Sequence, residues 1–166
     1  MSLNKIYSIE DIYKSDETEY SQTSSTNAET FHNMYPSFDF DANNDFEIEL
    51  DYYSTANGGV CLNPTEQGTT IKYHLMYGQN FTQTALYWGD ASGTETAQRH
   101  SEQGIFNEYL HIKFIKNNNT ISIYRDGVFY DSVSNTELGK HGNIALGCGS
   151  WNISTFKVKN LKVRLL

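Results

Sequence analysis

The stretch YLHIKFIKNNNTISIYRDGVFYDS, residues 109 to 132, indicates the fold class most directly. Apolar and polar residues alternate through YLHIKFIK, which is the period of a strand with one dry face and one wet face. Asn117-Asn-Asn and Asp126-Gly127 then supply residues that accept the positive φ of tight hairpin turns. We therefore predict three consecutive antiparallel strands in this stretch.

The same two-residue period continues through the chain from residue 36 onward, and no segment shows a helical stripe. Twelve Tyr and nine Phe with only two Pro suit short strands joined by polar turns. The predicted strands lie near residues 37–41, 45–53, 58–63, 70–77, 82–88, 109–116, 120–125, 128–132, 142–148 and 154–165. Strands with two distinct faces and no helices predict an all-β fold, an antiparallel sandwich of two packed sheets.

The last predicted strand, STFKVKNLKVRLL, changes the parity of its apolar residues between Val158 and Leu161. A register slip of one residue exchanges the two faces of a strand. We therefore predict a β-bulge at Lys159-Asn160, which returns the apolar side chains of both halves to one face.

A single domain accounts for the 166 residues, since a chain of this length buries about two-thirds of its unfolded surface. Residues 1–34 are predicted to form an N-terminal strand and a polar arm or loop packed on the domain, and residues 35–166 to form the β-sandwich. Within the first part, residues 14–33 have almost no aliphatic side chain and are typical of a long loop.

Charge and cysteine content narrow the range of partners. The formal net charge is −8, and the sequence shows no cluster of Lys and Arg of the kind that phosphate binding requires, which disfavours nucleic acid and anionic membrane surfaces. The sequence contains no apolar run of about 18 residues, so we do not predict membrane insertion. Cys61 and Cys148 are too few for a disulfide framework, so we predict buried free thiols.

Three motifs occur in a characteristic order, NDFEIELDYYSTANGGVCL, NEYLHIKFIKNNNTISIYRDGVFYDS and GNIALGCGSWNISTFKVKNLKV. This order resembles that of the concanavalin A-like lectin and glucanase superfamily, which includes laminin-G-like domains. The resemblance implies a jelly roll of two curved antiparallel sheets whose concave face or rim loops often hold glycans. The superfamily includes enzymes, lectins, adhesion modules and virion proteins, so the fold alone does not select a function.

Three carboxylates, Glu47, Glu49 and Asp51, alternate with apolar residues in FEIELDYY, residues 46–53. The alternation by itself is typical of the wet face of a strand. Laminarinase-like glycoside hydrolases of the superfamily carry a Glu, Asp, Glu ladder as nucleophile, modulating acid and acid/base, so the resemblance implies a catalytic alternative. The second and third residues depart from that order here, which leaves the shorter Asp51 where the family has its proton donor.

The segment FDFDANNDFE places Asp39, Asp41, Asn43 and Asp45 at a spacing similar to the first half of a calcium loop. The sharp-turn glycine is absent at Asn44 and the bidentate Glu is also missing, so the segment is not an EF-hand. A hairpin that turns at Asn43-Asn44 is the simpler interpretation, and a weak Ca²⁺ site is the alternative. We predict no other cofactor.

Two Trp-containing loops are the strongest functional signal. Trp88 with Asp90 in YWGDASG, and Trp151 with Asn152 in GCGSWN, stand where predicted strands give way to loops. Flat rings pack on the apolar faces of sugars, while Asp and Asn side chains bind hydroxyl groups. These four residues are the predicted glycan-binding residues, and closure of the core by each Trp is the alternative.

The sequence therefore predicts a non-catalytic carbohydrate-binding or adhesion module whose partner is a glycan or a cell-surface polysaccharide. We expect it to lie outside the cell, on a cell surface or on a virion, as part of a larger protein such as a phage-tail protein. One alternative is a laminarinase-like hydrolase that uses the carboxylate ladder. The other is a structural or assembly domain that binds no sugar and forms oligomers through a tyrosine-rich face.

Overall fold

The computed structural model describes residues 6–8, 19–23, 30–35, 43–62, 75–89, 95–134, 146–150 and 152–166. Within these ranges the chain forms strands, and no helix is long and apolar enough to cross a membrane. The strands are β1 (Ile6–Ser8), β2 (Glu19–Thr23), β3 (Thr30–Tyr35), β4 (Phe46–Ser54), β5 (Gly58–Leu62), β6 (Leu75–Gln79), β7 (Thr84–Gly89), β8 (Glu95–His100), β9 (Leu110–Asn117), β10 (Thr120–Arg125), β11 (Val128–Ser134), β12 (Leu146–Ser150) and β13 (Thr155–Leu165).

Two antiparallel sheets pack face to face as a jelly-roll β-sandwich. Sheet A contains seven strands in the order β1-β13-β4-β9-β10-β11, with β2 also paired to β13. Sheet B contains six strands in the order β3-β12-β5-β6-β7-β8. The predicted all-β fold of two antiparallel sheets is confirmed.

The core lies between the sheets because every second residue of the central strands is apolar. In β4 the side chains of Phe46, Ile48, Leu50 and Tyr52 are fully buried, and the Tyr52 ring stacks on Phe156 at a centroid distance of 6.4 Å. Burial of side chains of this size contributes about 1.5–3 kcal/mol each. The dry side predicted for FEIELDYY is therefore the core side of sheet A.

The opposite face of sheet B carries a second, smaller apolar cluster. It contains the buried residues Cys61, Met76, Ala85 and Tyr87, which alternate along their strands with the residues of the main core. Cys148 belongs to the main core, so the two cysteines face opposite sides of the sheet. Both are buried free thiols, as predicted, and burial raises the pKa of each.

The predicted turn and bulge are both present. Asp126 and Gly127 have φ values of 47° and 80°, as a two-residue turn with two left-handed positions requires. In β13 the pairing with β4 shifts register between Lys159 and Lys162, and Asn160 has a φ of 53°. Asn accepts this left-handed conformation more readily than most residues, which explains its place in the bulge.

Polar edge strands are where the sequence-based prediction is wrong. Residues 14–33 were expected to be a long loop or an arm laid over the surface, yet β2 pairs with β13 and β3, which begins within this range, pairs with β12. Strand β8 was missed because ETAQRH has Ala97 as its single apolar residue. Such strands are held by backbone hydrogen bonds to one neighbour, so they need no apolar alternation.

Strand β3 ends at Tyr35 and so spans the boundary between residues 34 and 35, where the two predicted parts meet, and the division at that point stays a prediction. The strand expected at 37–41 lies outside the described residues.

Candidate functional site

The carboxylate ladder lies on the outer face of sheet A, between the two strands that flank β4. The cross-strand partners of Glu47, Glu49 and Asp51 are Arg164, Lys162 and Lys159 on β13, and Ile115, Lys113 and His111 on β9. Opposite charges that face each other across strands stabilise a sheet by about 0.2–1 kcal/mol per pair. We call the outward side chains of β13, β4 and β9 the ladder face.

Ion pairs join the first two carboxylates of the ladder. Lys113 Nζ lies 3.5 Å from Glu47 Oε1 and 3.2 Å from Glu49 Oε2. Arg164 Nη2 donates to Glu47 Oε2 at 3.0 Å, and Lys162 Nζ lies 3.7 Å from Glu49 Oε1. These five side chains line a pocket of about 320 Å³ that contains both donors and acceptors.

The third carboxylate, Asp51, is held by a histidine and by the bulge in β13. His111 Nδ1 lies 2.8 Å from Asp51 Oδ1, and His111 Nε2 lies 3.4 Å from Glu49 Oε2. The side-chain amide of Asn160 donates to Asp51 Oδ2 at 2.6 Å. The bulge therefore corrects the register of β13 and also brings a hydrogen-bond donor to the ladder.

Two of the ladder carboxylates, Glu49 and Asp51, are held in their ionised form. Burial acts to raise the pKa of Glu49, but the hydrogen bond and charge of Lys113, with the charges of Lys162 and His111, lower it below the ordinary value. Burial likewise opposes the lowered pKa of Asp51, which results from Asn160 and His111. At neutral pH these groups accept hydrogen bonds and do not supply protons.

Tyr124 and Phe129, on the β10–β11 hairpin, form an aromatic wall beside the ladder face. A second pocket, of about 360 Å³, is lined by His111, Lys113, Ile115, Tyr124 and Gly127. The Tyr124 ring meets Phe129 edge-on at a centroid distance of 5.7 Å, and Phe129 is 54% exposed. Because Lys113 lines both pockets, the aromatic wall and the charged pocket are adjacent.

A tyrosine pair marks the opposite end of the ladder face. The rings of Tyr53 and Tyr109 are tilted against each other at 5.4 Å. Lys157 Nζ lies 5.4 Å from the centre of the Tyr53 ring, and Lys159 Nζ lies 3.8 Å from that of Tyr109. Cation–π contacts at exposed sites contribute about 0.5–1 kcal/mol, so they orient these lysines along the face.

The ladder face gathers positive charge that the sequence analysis did not detect. Of the twelve Lys and Arg residues of the chain, five lie here, namely Lys113, Lys157, Lys159, Lys162 and Arg164. Lys113, Lys162 and Arg164 are paired with Glu47 or Glu49, so this group of cations is not a phosphate-binding cluster, and the absence of a nucleic-acid partner stays a prediction. The signal was present in FKVKNLKVR, where the bulge places basic residues from both halves on one face.

Of the four predicted glycan-binding residues, the structure describes two. Trp88 is half-buried and packs against the main core, as expected for a residue that closes the end of the core. Asn152 is half-buried, and its Oδ1 accepts from the Asn57 side chain at 3.5 Å. Asp90 and Trp151 lie outside the described residues, and sugar binding by these loops stays a prediction.

The predicted calcium ligands are partly engaged by a lysine. Buried Lys116 donates to the carbonyl oxygens of Asn43 and its neighbour at 3.2 and 3.1 Å, and lies 3.5 Å from Asp45 Oδ1. An ammonium group among these oxygens competes with a metal ion for the same acceptors. Asp39 and Asp41 lie outside the described residues, so calcium binding stays a prediction.

A second charged network closes the sandwich beside β8, and we call it the edge network. Arg125 Nη2 lies 2.8 Å from a Glu102 oxygen, and Arg125 Nη1 donates to the Tyr77 hydroxyl at 3.2 Å. Tyr130 donates to Thr84 Oγ1, which donates to Glu102, each at 2.9 Å. The guanidinium lies 4.4 Å from the centre of the Tyr130 ring. The network links both sheets, because Tyr77 and Thr84 belong to sheet B and Arg125 and Tyr130 to sheet A.

No protein-family model and no curated protein sequence matches this chain. Similar solved structures include the carbohydrate-binding module CBM66 from Bacillus subtilis, with a TM-score of 0.61 and 11% identity over 89% of this chain and 95% of that one. The Caenorhabditis elegans galectin LEC-6 has a TM-score of 0.52 and 15% identity over 88% of this chain and 99% of its own. Alginate lyase A1-II′, of polysaccharide lyase family 7, has a TM-score of 0.55 and 10% identity over 89% of this chain and 78% of the lyase chain.

These identities are low, so the likeness concerns the backbone and shows the fold alone. The chain thus has the jelly-roll β-sandwich fold that a carbohydrate-binding module, a galectin and a polysaccharide lyase also have.

Proposed function

We propose that this domain is a non-catalytic carbohydrate-binding module and that the ladder face, with its aromatic wall, is its binding surface. The observation that carries the proposal is the adjacency of the charged pocket at Glu47 and Glu49 to the pocket walled by Tyr124. Sugars present hydroxyl groups at their rims and C–H groups on their flat faces. Ionised carboxylates and lysines bind the former, and an aromatic ring packs on the latter.

The comparisons support a binding role through the completeness of the match. This chain covers 95% of the carbohydrate-binding module and 99% of the galectin, but 78% of the alginate lyase. The binding proteins are thus matched almost from end to end, whereas the lyase has further chain beyond the match. Membership of the concanavalin A-like superfamily is part of this proposal.

The lowered pKa of Asp51 and the ion pairs of Glu47 weigh against the hydrolase alternative. A retaining glycosidase needs one carboxyl with a raised pKa, which protonates the leaving group. Asp51 stands where that acid is required, and its pKa is lowered. Glu47, the nucleophile of that alternative, is paired with Arg164 and Lys113. Loss of polysaccharide turnover in Glu47→Gln, relative to an active wild type, would restore the hydrolase.

A glycan array, followed by calorimetry on the best ligand, tests the proposal. Phe129→Ala and Phe81→Ala form a matched pair, because both rings are 54% exposed and each contacts one other aromatic ring. We expect Tyr124→Ala and Phe129→Ala to weaken binding about tenfold and Phe81→Ala to change it less than twofold. Absence of binding to any glycan on the array would refute the proposal.

The same experiment decides between the two candidate surfaces. If Trp151→Ala abolishes binding while Phe129→Ala leaves it unchanged, the module binds sugar through its Trp loops and the ladder face is not the site. If both Trp88→Ala and Trp151→Ala bind as the wild type does, the four loop residues predicted from the sequence are excluded as the site. Trp88→Ala also removes a contact with the core, so its thermal unfolding has to be measured in parallel.

Location outside the cell, on a cell surface or on a virion, as part of a larger protein, belongs to the same proposal. Calcium binding near Asp45 is a separate expectation. Calorimetric titration with Ca²⁺ that gives neither heat nor a thermal shift would remove it.

The assembly alternative is favoured by one observation, the exposure of Val128 and Phe129 side by side at the hairpin tip. Exposed apolar groups of this kind often mark contact surfaces. A monomer by light scattering at all concentrations would count against self-assembly.

A further inference from the structure

We infer that the ligand of the ladder face is an acidic polysaccharide whose sugars carry carboxylate groups, that is, a polyuronate. This inference rests on the proposed function and specifies the chemical class of the glycan. It follows from the charge of the face, the exposure of its cations and the placement of its carboxylates.

The ladder face has the opposite charge balance from the rest of the chain. It holds five of the eight Lys and Arg residues that the structure describes but three of the ten Asp and Glu residues, with Glu19 of β2 as the cross-strand partner of Lys159 at its edge, in a chain with a formal net charge of −8. A local excess of cations on an acidic protein attracts anions to that face and repels them elsewhere. The face therefore selects a ligand that carries negative charge.

Two of these cations are well placed to meet a ligand. The side chains of Lys162 and Arg164 are 62% and 49% exposed, and both line the charged pocket. They stand two positions apart on the same face of β13, with Val163 between them, so they present two positive groups along the strand direction. The planar guanidinium of Arg164 has five N–H donors and matches a planar carboxylate in a bidentate arrangement.

The carboxylates in the same pocket make a sugar acid a better ligand than a phosphate chain. Glu47 and Glu49 line the pocket with the cations, and the pKa of Glu49 is held low by Lys113. Ionised carboxylates accept hydrogen bonds from sugar hydroxyls, which a phosphate chain without hydroxyl groups does not supply. A polyuronate offers both groups on each sugar, a carboxylate for the cations and hydroxyls for the carboxylates.

Calorimetry with polyuronate oligosaccharides, taken from polygalacturonate, alginate and polyglucuronate, tests the inference. The matched ligand is the same oligosaccharide with its carboxyl groups converted to methyl esters, which removes the charge and keeps the hydroxyls. We expect at least one free-acid ligand to bind about tenfold more tightly than its ester, and the difference to shrink between 50 mM and 500 mM NaCl through screening (about 14 Å and 4 Å Debye length).

The double variant Lys162→Ala/Arg164→Ala should lose about tenfold in affinity for that ligand. The matched control is Arg99→Ala, which removes an exposed cation from β8 in the other sheet. It should bind within twofold of the wild type. All three proteins should unfold within a few degrees of one another, because the substituted side chains are exposed.

Equal binding of acid and ester, or an unchanged affinity in the double variant, would overturn the inference. So would equally tight binding of duplex DNA or dextran sulfate, which would indicate unspecific attraction of polyanions. A wild type that binds uncharged glycans on the array but no polyuronate refutes this inference and leaves the proposed function standing. A wild type that binds no glycan at all refutes both.

Discussion

The ladder face and the edge network are built from the same pairs of groups but lie in different environments. Both join carboxylates to Lys or Arg across strands. In the edge network the Arg125 side chain is 20% exposed, and besides Glu102, which is 41% exposed, it contacts Tyr77 of sheet B and Tyr130 of sheet A. On the ladder face, Lys162 and Arg164 turn much of their surface to solvent.

The difference shows that the exposure of the cation determines what a charged pair does. A largely buried cation whose donors are satisfied by groups of both sheets holds the sheets together, and its removal leaves those groups without a partner. Pairs at the surface add little stability, but they keep ionised groups at fixed positions where a ligand can reach them. Substitutions in the edge network should therefore reduce stability, and those on the ladder face should reduce binding.

The largest expected effect on stability is that of Arg125→Ala. It removes the partner of Glu102 and the donor to the Tyr77 hydroxyl, and should lower the free energy of unfolding by about 2–3 kcal/mol. Urea unfolding at pH 7 measures the loss, with Arg99→Ala as a control expected within about 0.5 kcal/mol of the wild type. The contrast between the two networks would fail if Arg125→Ala lost less than about 0.5 kcal/mol of unfolding free energy. It would also fail if the Arg125→Ala protein, measured under conditions where it is fully folded, bound the glycan with a different affinity from the wild type.

Thr84→Val should have a smaller effect on the same network. The shape of the side chain is retained, but Tyr130 loses its acceptor and Glu102 loses a donor, at a cost of about 1–2 kcal/mol. The control is Thr120→Val, whose hydroxyl lies 3.4 Å from Ser134 Oγ at an exposed position. If the two variants lose equal stability in urea, the burial of Thr84 does not matter and the interpretation fails.

The smallest effect is expected for Glu49→Gln on the ladder face, and it depends on pH. The folded-state pKa of Glu49 is lowered by Lys113 against the effect of burial, so the unfolded chain binds more protons in the acid range. Its contribution is fully present well above the ordinary pKa of 4.5 and is lost as the pH falls through the folded-state value. At pH 7 the variant should be less stable by about 0.5–1 kcal/mol.

Unfolding free energies measured between pH 7 and pH 2 test this dependence. The difference between wild type and Glu49→Gln should vanish at the acid end. A difference that is constant with pH would assign the effect to packing and not to charge.

Features of the fold that depend on local chemistry were predictable from the sequence. The Asp126-Gly127 turn and the bulge at Asn160 follow from residues that accept positive φ and from the parity of the apolar positions. Strand β8 was not predictable, because its pairing with β7 depends on backbone groups that every sequence has.

The candidate site was only half predictable. Alternation placed Glu47, Glu49 and Asp51 on one face of a strand, and the structure agrees. It could not reveal that β13 lies beside them, because Glu47 and its partner Arg164 are far apart in the sequence. The cations and the aromatic wall come from this non-local pairing, which a pattern along one strand does not contain.

The position of β13 also has a consequence for the kinetics of folding. This strand lies between β4 and the pair β1 and β2, so Arg164 has to meet both Glu47 and Ile6 before sheet A is continuous. Closing such long loops costs entropy before any contact repays it, and proteins rich in contacts of this kind fold slowly. The β9–β11 hairpins, joined by two-residue turns, can form early, whereas the surface assigned to ligand binding is completed only when β13 docks.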